Sequence, residues 1–299
     1  MATYKEIKGT NIEVLESDPS NPLDGQVWFN STDNVLRGNV GTPVVAWSTV
    51  NSLNTARTST SGAGIATAAL VVGGYSTTNI ADTESWNGSN WTEVNNLNTA
   101  RSSTGSMGTY TAALTFGGSG SPSYLSNTET WNGSNWTEVN DLNSARRALP
   151  GAGTNTAGLA IGGFEPPGTN KVESWNGTNW TETTDLNTPR YASAGAGIQT
   201  AALLIGGAGG TPKTELWNGS NWTEVNDLNQ GREALMGSGV QTSAVAYGGT
   251  TPAGAATESW NGTNWTEVND LNNGRIRAAS AGATNTSALA SGGVPAPGS

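Results

Sequence analysis

The chain contains no cysteine and no histidine. That excludes a disulfide framework, a His–Cys zinc site, a Ser–His–Asp triad and a Cys–His nucleophile. Charge is also scarce: 13 basic and 23 acidic side chains among 299 residues leave a net −10. A surface this poor in Lys and Arg argues against a nucleic-acid partner and against an anionic membrane surface, both of which need positive charge. No apolar run approaches the roughly 18 residues of a membrane span. The opening stretch MATYKEIKGTNIEV lacks the apolar segment of a signal peptide. No metal or cofactor motif is present, and no catalytic residue is assigned.

What fills the chain instead is Gly, Ser, Thr and Asn, with 41 Gly and only 34% hydrophobic residues. Such a composition borders on disorder, but disordered chains are poor in aromatics and this one carries 12 Trp. Their spacing shows an internal repeat. The motif E-x-W-N-G-[ST]-N-W-T-E places its first Trp at Trp86, Trp131, Trp175, Trp217 and Trp260, and its second five residues later at Trp91, Trp136, Trp180, Trp222 and Trp265. Trp47 is a sixth copy of the second position. Successive second Trp lie 44, 45, 44, 42 and 43 residues apart. Each is followed by Leu after six residues and by Arg after ten: Arg57, Arg101, Arg146, Arg190, Arg232 and Arg275. A Gly pair closes each unit, from Gly73–Gly74 to Gly292–Gly293.

One unit holds four strand signals: a small-residue stretch such as SSTGSMG, an apolar run such as AALTFGG, then TETWN and WTEVN. Asn132–Gly133 between the last two is a short-hairpin turn, because both residues tolerate positive φ. No segment shows a helical period. Four strands in 42–45 residues make one propeller blade. The small strand suits the crowded axis, the apolar strand is covered on both faces, and the Trp fill the widening outer part.

Arg, an apolar strand, Gly–Gly and an aromatic pair resemble the kelch repeat, over residues 47–293. That resemblance implies an all-β, six-bladed propeller of four-stranded blades. Glu-x-Trp stands where the family has Tyr before the first Trp. The chain enters at a fourth-strand position, Trp47–Asn51, and leaves after a second-strand position, so one blade is expected to be split between the N- and C-terminal ends. Its third strand is expected at Val35–Val40, with the segment around Trp28 as the alternative.

Residues 1–34 carry no repeat, and the propeller is assigned to 35–299. The stretch ATYKEIKGTNIEV…DPSNPLDGQVWFNSTDN resembles an N-terminal segment of structural proteins of marine tailed phages. The resemblance implies docking on other virion proteins and location in the virion. A strap packed on the propeller is the alternative.

Features present in every repeat read as structural. The motif Glu (Glu84, Glu129, Glu173, Glu215, Glu258) and the Glu after the second Trp recur in five units, whereas a catalytic carboxylate pair needs two different surroundings. Each repeat Arg is expected to pair with a carboxylate or to bond backbone carbonyls. Asn-Gly-[ST] matches a glycosylation pattern but recurs because the turn recurs. Gly–Gly lacks the Lys–Ser/Thr of a phosphate loop.

The informative part is what differs between copies. The connector from the Gly pair to the motif Glu reads YSTTNIADT, SGSPSYLSNT, FEPPGTNKV, AGGTPKT and TTPAGAAT. These loops share a face with the blade-to-blade loops, and the near-constant NG turns lie on the other. Divergent loops on a rigid scaffold are where binding resides. Tyr75, Tyr124, Phe164, Lys171 and Lys213 are therefore the candidate binding residues. The expected role is a non-enzymatic tail-fibre or appendage component recognising a host-surface glycan or protein. A ligand-free capsid or baseplate decoration protein is the alternative, and a glycan-acting enzyme a further one.

Overall fold

The computed structural model describes residues 13–17, 27–38, 46–250 and 254–297. The chain divides into two compact units, Met1–Val45 and Ala46–Ser299. In the first, Glu13–Leu15 runs parallel to Val27–Asn30, which pairs antiparallel with Val35–Gly38. The turn between the last two is set by Asn30, whose Oδ1 accepts the N–H groups of Thr32 and Asp33, both at 3.0 Å. Trp28 is buried in this unit.

The second unit is a β-propeller of five antiparallel four-stranded blades. Blade 1 comprises Ser61–Ile65, Ala68–Tyr75, Asn79–Trp86 and Trp91–Val94. Blade 2 comprises Gly105–Thr109, Ala112–Phe116, Thr128–Trp131 and Trp136–Val139. Blade 3 comprises Gly151–Gly153, Gly158–Ile161, Val172–Trp175 and Trp180–Glu182. Blade 4 comprises Ala194–Ile198, Ala201–Ile205, Thr214–Trp217 and Trp222–Val225. Blade 5 comprises Met236–Val240, Ser243–Tyr247, Thr257–Trp260 and Trp265–Val268. First strands of successive blades stand side by side around the axis. Second strands are buried on both faces, as their continuous apolar sequence requires. The two Trp of each blade meet across the NG turn with ring centroids 5.1–5.3 Å apart.

The sixth blade expected from the repeat count does not form. The sixth repeat contributes a two-stranded hairpin, Ala279–Thr284 with Ser287–Ser291, whose inner strand lies between the first strands of blades 5 and 1. The reason lies in the partners of the proposed outer strands. Val35–Gly38, the expected third strand, is hydrogen-bonded to Val27–Asn30 in the other unit, and so is unavailable. Asn39 and Val40 lie outside the described residues. The alternative around Trp28 belongs to that same sheet. Trp47–Asn51, the expected fourth strand, has no strand neighbour among the described residues, and an outer strand exists only against one.

The segment nonetheless keeps a fourth strand's side-chain contacts. The Trp47 indole N–H donates to Thr257 Oγ1 at 3.2 Å and its ring lies 4.8 Å from Tyr247. Trp136, Trp180 and Trp265 donate in the same way to Thr83, Thr128 and Thr214 of the preceding blade. The ring is also joined through the Gly pairs. The second Gly of each donates its N–H to the carbonyl of the next repeat's Arg, from Gly74 to Arg101 (2.9 Å) round to Gly293 to Arg57 (3.0 Å). A Cβ on Gly117, at φ 62°, would stand 2.6 Å from the Arg146 carbonyl oxygen, which is why Gly occupies that position.

Five of the six repeat Arg pair with a carboxylate, and the sixth, Arg275, bonds the Gly292 carbonyl instead. Arg57, Arg101, Arg146, Arg190 and Arg232 pair with Glu84, Glu129, Glu173, Glu215 and Glu258 of their own blades, all buried. The Asp five residues before Arg does different work: Asp141, Asp227 and Asp270 accept the N–H of Thr128, Thr214 and Thr257 at 3.0–3.2 Å.

Candidate functional site

The residue two positions after each repeat Arg turns the chain into the axial strand. Ser59, Ser103, Ala148, Ala192, Ala234 and Arg277 all have φ of 52–55°, a region that side-chain-bearing residues seldom adopt. The conformation is held because each donates its N–H to the carbonyl of the preceding one, at 2.7–3.1 Å, with Ser59 bonding back to Arg277. The result is a closed circle of six hydrogen bonds about the axis.

This circle rims a cavity of about 440 Å³ at one end of the axis, within the range of small-ligand sites. The chain reaches it beside the divergent connectors, since Thr58 bridges Tyr75, Arg147 bridges Phe164 and Glu233 bridges Thr250. Most of the lining is Ser, Thr, Gly and Ala. The functional side chains on it are Arg147, Tyr191, Glu233 and Arg277. Arg147 is held by aromatic faces, its Cζ 4.9 Å from the Phe164 ring centroid and 5.4 Å from that of Tyr124. Phe164 in turn meets Tyr191 edge-on at 4.8 Å and Tyr124 at 5.9 Å. Glu233 accepts the Gly209 N–H at 2.9 Å. Farther down the axis a smaller space of about 110 Å³ is lined mainly by Gly, Ala and Ser of the first strands.

Of the residues singled out in the sequence, Tyr124 and Phe164 come together and support the mouth without lining it. Tyr75 is exposed and makes no ring contact with that cluster. Lys171 is tied to Glu165 (3.3 Å) and to the Ser144 hydroxyl (3.0 Å). Lys213 is tied to Glu224 at 2.8 Å, whose carboxylate raises the ammonium above its ordinary pKa. Neither Lys lines the cavity.

Sequence reasoning passed over Arg147, Tyr191, Glu233 and Arg277. For the first three the signal was available. Aligned on the repeat Arg, the next residue reads Thr58, Ser102, Arg147, Tyr191, Glu233 and Ile276, a variable position beside an invariant one. Among the described residues no cluster of three or more metal-binding side chains is arranged to hold an ion.

No family model matches the chain, and no curated protein matches it. Among solved structures, one titled "Structure of YjhT" is similar over 83% of this chain and 94% of its own, with a TM-score of 0.68 and 13% sequence identity. At that identity the likeness is one of fold, an all-β propeller.

Proposed function

We propose that this propeller, built from kelch-like repeats, is a non-catalytic recognition module of a tailed-phage virion, and that it binds a host-surface glycan or protein at the axial mouth. The observation that carries the binding site is the mounting of Arg147 and Tyr191 on Tyr124 and Phe164 at that mouth. A guanidinium fixed over aromatic rings presents its N–H groups in a set direction, and a neighbouring Tyr offers an apolar ring face with a hydroxyl. Together with the polar lining, they suit a sugar ring carrying an anionic or hydroxyl-rich substituent. The virion assignment rests on the resemblance of the N-terminal segment, with docking on other virion proteins as that segment's role.

The mouth is open, so single contacts are weak and several displayed copies supply avidity. The test is binding of the purified protein to an array of bacterial surface polysaccharides, and to intact host cells. Arg147→Ala with Tyr191→Ala should lower binding at least tenfold, while Lys171→Ala and Lys213→Ala should leave it within twofold. Equal binding by the double variant would overturn the site. Absence of binding by the unaltered protein would leave a ligand-free decoration role.

A further inference from the structure

The incomplete sixth repeat leaves a groove between its hairpin and the neighbouring blades. Its volume is about 470 Å³, and its walls include Trp47, Trp86, Trp91, Leu271, Leu289 and Arg275. One edge is Ser287–Ser291, which is paired only with Ala279–Thr284 among the described residues. The equivalent second strands of all five blades are paired on both sides. An open strand edge is a template for another strand.

The end of this groove is built to receive a carboxylate. In blade 2, Glu129 accepts from Arg101 Nη2 at 2.7 Å, from the Asn98 N–H at 2.8 Å and from the Thr99 N–H at 3.3 Å. In blade 1, Arg57 and the N–H groups of Asn54 and Thr55 converge on Glu84 in the same way. The sixth repeat carries the corresponding donors, Arg275 with the backbone of Asn272 and Asn273, and among the described residues no carboxylate meets them. Arg275 bonds the Gly292 carbonyl at 3.2 Å and is the one repeat Arg there without an acidic partner.

We propose that this groove binds an extended acidic strand of another polypeptide by β-addition to Ser287–Ser291. The five blades state the required chemistry. In blade 2 the motif Glu lies opposite Thr115 and the first Trp opposite Ala113. Aligned on the Gly pair, these positions are Ala290 and Ala288 in the hairpin. The incoming strand therefore places a Glu opposite Ala290, where it reaches Arg275. An aromatic residue two further on lies opposite Ala288, beside Trp47. Main-chain hydrogen bonds supply affinity, and the Glu and the aromatic supply register. The groove is separate from the axial mouth, so its occupancy does not depend on the function proposed there.

The probe is a fluorescein-labelled peptide of residues 126–132 of this chain, SNTETWN, titrated into the full-length protein. Saturable binding is expected. The peptide with Glu129→Gln and the protein with Arg275→Gln should each weaken it at least tenfold. Arg147→Ala in the protein should leave it unchanged. The peptide substitution cannot disturb the protein's fold, so it stands even if the Arg275 variant is unstable. No saturable binding at millimolar peptide would overturn the proposal. So would equal affinity for the Gln peptide, or concentration-dependent self-association of the protein that excludes the peptide, which would assign the edge to a second copy.

Discussion

At the scale of the residue, one side chain shows how strictly each repeat is built. The second Trp of a blade is nearly buried, and its indole N–H must find an acceptor or carry the cost of desolvation. Trp136, Trp180, Trp265 and Trp47 find a Thr hydroxyl on the preceding blade. Trp91 uses the Asn51 carbonyl at 3.1 Å. Trp222 has no acceptor, because Val172 stands where the other blades have Thr. Val172→Thr should therefore stabilise the protein by about 0.5–1.5 kcal/mol, the net worth of one new buried hydrogen bond. The converse change, Thr128→Val, should cost about 1–3 kcal/mol by orphaning Trp180. Urea unfolding of the two variants checks both signs, and a destabilised Val172→Thr protein would contradict the assignment.

At the scale of the element, a blade is a sheet clasped by one buried ion pair. Burial lowers the pKa of the Arg101, Arg190 and Arg232 guanidinium groups, and the facing Glu counters that shift. The Arg also bonds backbone carbonyls, as Arg190 does with Lys213 at 2.7 Å, so it links the blade-to-blade loop to the third strand. Removing one partner leaves the other charge buried and unpaired. Glu129→Gln should cost about 3–5 kcal/mol, read as a lowered melting temperature. Replacing both partners by apolar residues of similar volume, Arg101→Met with Glu129→Leu, should recover much of that loss. If the double variant melted no higher than the single one, the loss would belong to packing rather than to the orphaned charge.

At the scale of the whole molecule, the question is how the ring closes without a sixth blade. Three contacts converge there. Tyr247 of blade 5 donates to the Leu289 carbonyl of the hairpin at 3.1 Å, Trp47 packs on the Tyr247 ring, and Gly293 bonds Arg57. Burial pushes the Tyr247 phenol well above its ordinary value, partly offset by its bonds to Ser238 and Ser280. The folded-state pKa is therefore raised, and the stability it contributes is present below about pH 10, the ordinary tyrosine value, and is lost as pH rises beyond it. Unfolding free energy should fall with pH above about 10. Tyr247→Phe should flatten that part of the decline while losing the bond to Leu289. Phenolate absorbance should show one tyrosine that ionises only as the ring opens. Ionisation of all six Tyr before any loss of tertiary signal would refute this.

The repeat, the strand order within a unit, the burial of both Trp and the Gly turns were legible in the sequence because each follows from short-range pattern repeated six times. Alternation, an NG dipeptide and a Gly pair specify local geometry wherever they occur. The acid that pairs with each Arg was not legible. The Asp five residues away and the Glu 25–28 residues away are equally plausible in one dimension, and only the fold of the blade selects the Glu. The count of blades was misread for a related reason. Arg275 and Gly292–Gly293 match the repeat with one extra residue between them, yet a blade also needs two outer strands, and Val35–Gly38 had a better partner in Val27–Asn30. The site divided in the same way. Divergent loops marked Tyr124 and Phe164, but which side chains face the axis depends on the circle of hydrogen bonds from Ser59 to Arg277. That circle exists only once all the repeats have assembled, because each residue in it borrows its acceptor from a different repeat.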